Sequence, residues 1–319
     1  MMDNDSFLRI ASNLTPGGGR ASTDERPPLR NGPRLAAVAA PCHSAATAVD
    51  RVGAVQYLNT RPLVHGLATA GLEVEYDLPS RLADRLASGH LDVALIPSIE
   101  FFRGVGYRLV SDACIGCRGP VMSVKLFFRT RPDRVEHLAV DEGSRTSVAL
   151  ARLLLAERCG VAPEVEVLRL EDDISTTVAD AVLLIGDRAI GSQTGNFQEV
   201  WDLGDEWCRW TGLPFVFAVW AARSDVPAET LRRVEPLLAA ARDSGKANLA
   251  AIAAVEAKPH RLTVPQCLGY LRDNLHYDLG LRERAALALF YDRASALSLA
   301  PRGLNLSAAL APAGLPMAH

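Results

Sequence analysis

The sequence DEGSRTS, residues 141–147, separates a short apolar segment from a segment with helical spacing. Residues 137–140 before it fit a buried strand, whereas residues 148–159 after it repeat apolar positions at helical intervals. Gly160 follows, and glycine is suited to the left-handed cap that ends many helices. We therefore predict a strand, a ligand-facing turn and a helix, in this order.

The predicted turn places polar side chains at the start of that helix. The first backbone N–H groups of a helix lack partners and its dipole is positive there, so such a site attracts anions. Arg145 adds a guanidinium whose donors match a carboxylate or a phosphate. Two interpretations stay open from this stretch alone: the hydroxyls cap the helix, or they bind an anionic small molecule. The candidate ligands are Ser144, Arg145, Thr146 and Ser147.

Strand and helix patterns alternate from residue 51 onward. Buried-strand patterns occupy residues 52–55, 72–76 and 91–96, and a helix pattern occupies residues 79–88. Residues 61–63 open another helix, with a proline near its first position. This alternation predicts a parallel sheet with helices on both faces, and ligands bind beyond the carboxyl ends of the strands of such sheets.

Polar residues at or near these strand ends are further candidate ligands. Asn59 follows the first strand and either holds a ligand without ionising or stabilises its own turn. Ser98 follows the third strand, as a ligand hydroxyl or as a helix cap. Ser123 stands near the cleft in the extended run of residues 118–128. Asp187 stands at the exit of a later strand, as a candidate acid or base or as a turn residue.

The second half of the chain repeats this organisation. Strand patterns recur at residues 165–170, 181–185 and 215–221, which indicates a second α/β domain. Trp207 and Trp220 are better explained as core packing than as a platform for a planar ligand. Beyond this point the chain turns helical. The predicted helices span residues 228–244, 246–257, 264–274 and 281–297.

Composition limits the classes of function. The 319 residues are 49% hydrophobic and 22% charged with a formal net charge of -3, which is typical of a soluble globular chain of about two domains. No basic run alternates with aromatic residues, so nucleic acid is not an expected partner. No apolar run approaches the ~20 residues of a membrane helix. A small molecule is the expected partner, and the oligomeric state stays open.

The cysteines do not form a recognisable framework. Six cysteines at irregular spacing do not indicate disulfides, and a reducing cytoplasm is the simpler inference. Cys114 and Cys117 have C-x-x-C spacing, but a zinc site would need a second pair or two histidines, and none is suitably placed. We therefore expect no metal and assign this pair no role.

The two ends of the chain differ from its middle. Residues 1–50 contain Pro-Gly-rich and Ala-rich pieces without sustained periodicity, so we predict disorder. A secretory signal is not predicted because the early residues are acidic and the apolar piece is short, although a lipoprotein leader or a wrongly chosen start codon stay alternatives. Residues 301–319 are rich in Pro and Ala and are predicted to form a flexible tail.

Five motifs in this order resemble the chorismate dehydratase family of the futalosine route to menaquinone. The resemblance covers residues 51 to about 300, and it rests on the order of the motifs because each one alone is weak. The long leader and the C-x-x-C pair depart from the family pattern. The motifs are VG…YLNTxPL at 52–63, GPVxS at 119–123, SRTS at 144–147, IGDxA at 185–189 and TGLPFVFAxWA at 211–221.

The resemblance implies the α/β fold of type II periplasmic binding proteins, with two α/β lobes and a substrate cleft between them. One lobe would consist of residues 51–126 and 222–300, and the other of residues 127–221. The chain would cross between them near residues 123–128 and 215–220.

The resemblance also implies a function. A chorismate dehydratase removes water from chorismate to give 3-[(1-carboxyvinyl)oxy]benzoate, a lyase reaction for which we expect no cofactor. Two alternatives stay open: a sister enzyme of the same fold that makes dihydroxynaphthoate, and a non-catalytic solute receptor. A receptor should carry an export signal, and the SRTS run resembles the dehydratase branch more closely. We therefore predict a cytoplasmic dehydratase.

The matched motifs imply the site residues. They offer amide and hydroxyl groups rather than His or Lys, so we expect a carboxylate of the substrate itself to take the ring proton. Arg145 has a second interpretation, since its side chain could brace the two lobes instead. The implied catalytic residues are Asn59 and Ser123. The implied substrate-binding residues are Thr60, Ser98, Ser144, Arg145, Thr146, Ser147, Gly186 and Asp187.

Overall fold

The computed structural model describes residues 50–191 and 197–310. These residues build two β-sheets with helices packed around them. The strands are β1 (Val52–Val55), β2 (Val74–Asp77), β3 (Val93–Pro97), β4 (Arg108–Cys117), β5 (Val124–Phe128), β6 (His137–Asp141), β7 (Glu164–Leu168), β8 (Ala181–Ile185), β9 (Glu199–Asp202), β10 (Phe215–Ala222) and β11 (His276–Asp278). The helices are α1 (Pro79–Ala87), α2 (Ser98–Arg103), α3 (Thr146–Cys159), α4 (Gly186–Gly191), α5 (Leu203–Thr211), α6 (Ala228–Ala247), α7 (Leu249–Glu256), α8 (Val264–Gly269), α9 (Leu281–Ala296) and α10 (Leu306–Ala309).

The first sheet has the strand order β11-β4-β10-β3-β1-β2. Strand β1 pairs in parallel with β2 and β3, as the alternation predicted. Strand β10 pairs antiparallel with both β3 and β4, and β11 pairs antiparallel with β4. The parallel pairing predicted for the first three strands is therefore confirmed, and β10 and β11 add antiparallel strands to the same sheet. Strand β10 runs antiparallel because it belongs to a part of the chain that returns from the second sheet in the opposite direction.

The second sheet has the strand order β7-β6-β8-β5-β9. Strand β6 pairs in parallel with β7 and β8, whereas β5 pairs antiparallel with β8 and β9. Two connections join the sheets. Residues 118–123 lead from β4 to β5, and residues 203–214, which include α5, lead from β9 back to β10.

A cluster of aromatic side chains packs α5, β10 and α9 together. The Trp207 ring lies 5.2 Å from the Phe215 ring, which lies 4.9 Å from the Phe290 ring. Trp207 also donates its indole N–H to the Pro214 carbonyl at 2.9 Å. Trp207 and Trp220 are both fully buried. The tryptophans therefore fill the core, as their sequence context indicated.

Several elements differ from the sequence expectations. Residues 58–64 form a 3₁₀ helix with Pro62 inside it, instead of a helix that opens at residue 61. Strands β4 and β11 were not predicted, and a π-helical turn over Tyr270–Asn274 ends the region expected to be one helix.

The two ends of the chain are only partly described. The predicted leader lies outside the described residues except for Asp50. The predicted tail departs from expectation over residues 301–310, because α10 buries Leu306 and its neighbour Leu310 in the core. Residues 311–319 lie outside the described residues. No helix in the described ranges is long and apolar enough to cross a membrane.

Candidate active site

A cavity lies between the two sheets, at the carboxyl ends of β1, β3, β6 and β8. Strand ends of this kind are where α/β sheets bind ligands. Its walls combine apolar side chains with hydroxyls, one amide and one guanidinium. The lining residues are Val55, Tyr57, Asn59, Pro79, Pro97, Ile115, Val121, Ser123, Val124, Gly143, Ser144, Arg145, Thr146, Ser147, Ile185, Gly186, Phe217 and Ala218.

Tyr57 projects from the first sheet into this cavity. Its side chain is buried, and its hydroxyl has no hydrogen-bond partner among the described residues. Burial, reinforced by the charges of Asp141 and Asp187, raises the pKa of the phenol well above its usual value, so the phenol keeps its proton. Tyr57 is therefore a buried donor without a protein acceptor. Tyr57 lies in the YLNT motif but was not among the predicted site residues.

Two glycines on the second sheet make room for Tyr57. Gly186 has a positive φ of 57°, and a Cβ there would lie 2.8 Å from the Tyr57 ring. A Cβ at Gly143 would lie 2.9 Å from the Tyr57 hydroxyl. Any side chain at either position would displace Tyr57, so its packing requires glycine at both. At Gly186 the positive φ is a second reason for glycine.

The start of α3 faces the cavity without a side-chain cap. Its N-cap residue is Arg145, which makes no capping hydrogen bond. The Ser144 hydroxyl is buried and has no partner within the described ranges. Buried polar groups are normally hydrogen-bonded, so donors left open in a cavity wall indicate a ligand. Thr146 and Ser147 line the cavity beside them.

Thr146 also joins the two sheets. Its hydroxyl oxygen accepts a hydrogen bond from the Ile99 N–H at 3.2 Å, in the first turn of α2. Ser98 Oγ lies 3.4 Å from this oxygen and donates to the Val216 carbonyl at 2.8 Å. Ser98 is fully buried and does not line the cavity. The structure thus places Ser98 behind Thr146, where it supports the wall.

Arg145 lines the cavity with a guanidinium that is already paired. The guanidinium donates to both carboxylate oxygens of Asp84 at 2.8 Å and lies 3.3 Å from a carboxylate oxygen of Glu100. Asp84 and Glu100 belong to α1 and α2, which pack on the first sheet. The side chain therefore bridges the sheets, in agreement with the second interpretation given above.

The turn before α3 is held by a buried ion pair. Asp141 is fully buried, and its carboxylate accepts from the Gly143 N–H at 3.1 Å and from the Arg188 guanidinium at 3.0 Å. Burial raises the pKa of Asp141, and these two partners act in the opposite direction. The pair fixes the residues that precede the open helix start.

Asn59 and Ser123 line the cavity, and the buried Tyr270 phenol lies near both of them. Thr60 Oγ1 donates to Asn59 Oδ1 at 3.3 Å, and Thr60 itself is fully buried outside the lining. The Tyr270 phenol is fully buried, and burial raises its pKa. Ser123 and Asn59 lie close enough to that phenol to act against this rise. Thr60 and Tyr270 thus lie behind the Asn59 amide and the Ser123 hydroxyl, on the side away from the cavity.

Asp187 has partners outside the cavity. One carboxylate oxygen accepts from the Leu58 N–H at 3.2 Å, and the other lies 3.3 Å from His260 Nε2. Burial raises the pKa of Asp187, while His260 lowers it to a lesser extent. The structure therefore brings seven predicted site residues into the cavity wall and leaves three behind it. Those behind it are Thr60, Ser98 and Asp187.

The wall contains few groups that titrate near neutral pH. The lining residues that the structure describes include no Asp, Glu, His or Lys. Across the described ranges, no group of three or more His, Cys, Asp or Glu side chains is placed to hold a metal ion. The arrangement can donate hydrogen bonds to an anion and hold it away from water.

Comparison with known proteins assigns the sequence to a family. A family model described as menaquinone biosynthesis matches residues 51–296. The chain is 34% identical over 269 residues to a chorismate dehydratase of Thermus thermophilus, which covers 78% of this chain and 96% of that relative.

Solved structures identify the fold. A crystal structure of a protein from Archaeoglobus fulgidus is similar with a TM-score of 0.64 and 19% identity, over 79% of this chain and 99% of that one. The periplasmic aliphatic sulphonate binding protein of Escherichia coli is similar with a TM-score of 0.55 and 15% identity, over 82% and 96%. The chain has the fold of periplasmic binding proteins, with two α/β lobes and the cavity between them.

Proposed function

The chain belongs to the menaquinone biosynthesis family, and we propose that it is a chorismate dehydratase, a lyase that removes water from chorismate to give 3-[(1-carboxyvinyl)oxy]benzoate. The observation that carries this proposal is the uncapped start of α3 in the wall of a mostly apolar cavity between the sheets. Chorismate is a small dicarboxylate with a hydroxylated ring. Such a molecule needs hydrogen-bond donors for its carboxylates and apolar contacts for its ring.

We propose that one substrate carboxylate binds at the start of α3. The hydroxyls of Ser144, Thr146 and Ser147 and the free N–H groups of the first turn would donate to it, and the helix dipole favours the negative charge. The Thr146 oxygen accepts from Ile99, and its proton has only a long contact with Ser98 Oγ at 3.4 Å, which a substrate carboxylate would replace. Tyr57 faces the same cavity and would donate its phenol proton to an oxygen of the substrate.

The proposed lobes follow the two sheets, so they differ from the limits predicted from the sequence. Strand β5 belongs to the second sheet and β10 belongs to the first, whereas the predicted limits of 51–126 with 222–300, and of 127–221, divided β5 between the lobes and placed most of β10 in the second. Residues 51–117 and 215–300 would form one lobe and residues 124–202 the other, with the substrate enclosed between them. We also propose a cytoplasmic location. The five cysteines within the described ranges are free thiols, which is usual in a reducing compartment.

The chemistry needs one proton and one hydroxide to leave neighbouring ring carbons. The proton comes from the carbon that bears the ether, and the hydroxyl leaves from the next carbon as the ring becomes aromatic. We propose that the enolpyruvyl carboxylate of chorismate takes this proton, because holding it close to that carbon provides a large effective molarity. Asn59 and Ser123 would orient the carboxylate and the leaving hydroxyl by hydrogen bonds. Thr60 would keep the Asn59 amide in place.

Mass spectrometry tests the activity. We expect the purified protein, incubated with chorismate and with no added metal or nucleotide, to release a product lighter by one water. Unchanged chorismate, with binding still detected by calorimetry, would favour a solute receptor and contradict the proposal.

Two variants test the roles of the amide and the hydroxyl. Asn59→Ala and Ser123→Ala should lower kcat far more than they raise KM, by about 100-fold or more, because each removes a group that acts on the reacting atoms. Thr60→Val keeps the shape of the buried neighbour and removes only the hydroxyl that holds the Asn59 amide, so it should lower kcat less than Asn59→Ala does. Equal losses in binding and turnover would assign both residues to simple binding.

A further inference from the structure

A thiol of the first sheet lies against α5. Gly204 and Cys208 are four residues apart in this helix, so they share one face. A Cβ at Gly204 would lie 2.6 Å from Cys117 Sγ, which shows that the Cys117 thiol occupies the space beside this face. The Cys117 and Cys208 side chains are close enough for each to shift the pKa of the other. Gly204 is therefore the residue that lets β4 bring its last cysteine up to Cys208.

This arrangement separates the two cysteines of the C-x-x-C motif. Cys114 and Cys117 are both in β4, and side chains three residues apart in a strand point to opposite faces. Both are buried. The partner of Cys117 is therefore Cys208, 91 residues later in the chain, and not Cys114.

We propose that Cys117 and Cys208 form a peroxide-sensitive pair, in which Cys208 reacts first and Cys117 then closes a disulfide with it. The proposal rests on the position of the Cys117 thiol beside the face of α5 that carries Cys208, and on the different access that solvent has to the two thiols. It does not depend on the proposed dehydratase activity.

Cys208 is the thiol that a peroxide can reach. It is partly exposed and lines a surface pocket together with Arg118 and Arg282, whereas Cys117 is buried. Both guanidiniums are held in place. Arg118 lies 2.9 Å from the buried carboxylate of Glu283, and Arg282 donates to the Gly212 carbonyl at 2.8 Å. Reactive cysteines are found in partly exposed, electropositive surroundings of this kind.

The proximity of the two thiols also makes them chemically unequal. The neighbouring Cys117 thiol lowers the pKa of Cys208, and Arg282 acts in the same direction against burial and the charge of Asp205. The neighbouring Cys208 thiol, together with burial, raises the pKa of Cys117. Cys208 is therefore the more readily ionised of the two, and the thiolate is the form that attacks a peroxide.

The proposed reaction is balanced with a peroxide as the oxidant. The Cys208 thiolate attacks one peroxide oxygen, an S–O bond forms, the O–O bond breaks, and hydroxide leaves. The sulfur of Cys117 then attacks the sulfenic acid, an S–S bond forms, and the S–O bond breaks. The two sulfurs lose two electrons in total, and the peroxide is reduced to water.

The bridge would have a defined place in the fold. Cys117 is the last residue of β4, where the first connection between the sheets begins, and Cys208 lies in α5, within the second connection. A disulfide between them would covalently join the two connections that link the lobes. The thiols of a fully reduced protein leave these connections joined only by non-covalent contacts.

Peptide mapping of the full chain tests the proposal. Reduced protein is treated with equimolar hydrogen peroxide, alkylated, digested and analysed by mass spectrometry. We expect a linked peptide pair that contains Cys117 and Cys208 and is lighter by two hydrogens than the two free peptides. Cys159 is the internal control, because it is also partly exposed but burial raises its pKa, and it should be recovered as an alkylated thiol. Recovery of all three cysteines as alkylated thiols, or equal oxidation of Cys159, would overturn the proposal.

Two variants assign the order of reaction. In Cys117→Ser, dimedone should trap a sulfenic acid at Cys208, since the thiol that removes it is gone. In Cys208→Ser, Cys117 should give no such adduct. Cys159→Ser is the matched control and should form the linked pair as the unaltered chain does. An adduct at Cys117 in Cys208→Ser, to the same extent as at Cys208 in Cys117→Ser, would contradict the assigned order.

Discussion

Helices α3 and α5 both follow a strand of the second sheet, yet their first turns are arranged in opposite ways. The N-cap of α5 is Asp202, whose carboxylate accepts from the N–H groups of Gly204 and Asp205. The N-cap of α3 is Arg145, which makes no capping hydrogen bond. The start of α5 is therefore closed by a carboxylate of the chain, whereas the start of α3 is left open toward the cavity.

The carboxylate of Asp202 also holds the first connection between the sheets. It accepts from the Val121 N–H at 2.9 Å and from the Met122 N–H at 2.7 Å. Met122 has a positive φ of 62°, a conformation that a side chain rarely adopts, and these hydrogen bonds stabilise it. A carboxylate at a helix start stabilises the fold when a residue of the chain supplies it, as Asp202 does for α5. Where the chain supplies no carboxylate, as at α3, an anionic ligand can bind in its place.

The most direct test of whether the start of α3 binds an anion is to give this helix a carboxylate of its own. Ser147→Asp places a negative charge in the first turn, which should stabilise the helix by about 0.3–1 kcal/mol through its dipole. The same charge should lower chorismate affinity by about 100-fold or more, because like charges at one site cost several kcal/mol. Calorimetric titration and thermal unfolding measure both effects. Ser147→Asn is the neutral control, and equal losses in both variants would contradict an anion site.

The converse change removes the carboxylate from α5. Asp202→Ala deprives four N–H groups of their acceptor, so the free energy of unfolding should fall by about 2–4 kcal/mol. Urea denaturation measures the loss. Asp202→Asn keeps one acceptor oxygen and should lose less. A stability equal to that of the unaltered chain would mean that the closed helix start is not structural.

Removing one donor from α3 should have a smaller effect on affinity. Thr146→Ala should weaken chorismate binding by about 1–3 kcal/mol, since a buried carboxylate loses a donor. Thr146→Ser keeps the hydroxyl for both the substrate and the Ile99 N–H, and it should bind almost as well as the unaltered chain. Isothermal titration of all three proteins separates the two outcomes. Unaltered chorismate affinity in Thr146→Ala would contradict this site and mean that the Thr146 hydroxyl only stabilises the fold.

The guanidinium at the α3 N-cap should matter least for binding. Arg145→Gln removes the ion pairs with Asp84 and Glu100, which are partly exposed and should stabilise the fold by about 0–1 kcal/mol. Chorismate affinity should change less than in Thr146→Ala. A larger loss of affinity in Arg145→Gln would show that the guanidinium leaves its carboxylate partners to bind the substrate.

The sequence was sufficient to predict elements whose signals are local. Apolar spacing followed by Gly160 predicted α3, and Gly160 indeed ends it in the left-handed conformation. The uninterrupted apolar run of β8 was predicted with its observed limits, Ala181–Ile185. In contrast, β4 was missed because Ser111 and Asp112 interrupt its apolar pattern. Its pairing with β10, far away in sequence, forms the strand despite this interruption.

The same distinction applies to the site. Residues 144–147 were predicted because a strand followed by a helix fixes where the intervening turn lies. Tyr57 was not, because its role depends on Gly143 and Gly186, which become its neighbours only when the two sheets come together. Asp187 was predicted as a cavity residue from its local position alone. Its position after a strand was read correctly, but its partners Leu58 and His260 come from distant parts of the chain.

The turnover of Asp187→Asn tests most directly whether the substrate supplies its own base. Asp187 is the carboxylate among the predicted site residues, and its oxygens already contact the Leu58 N–H and His260 outside the cavity lining. We predict that Asp187→Asn binds chorismate normally and keeps substantial water loss, measured as product formed per enzyme by mass spectrometry. Normal binding of chorismate with no water loss would contradict the account and identify Asp187 as the general base.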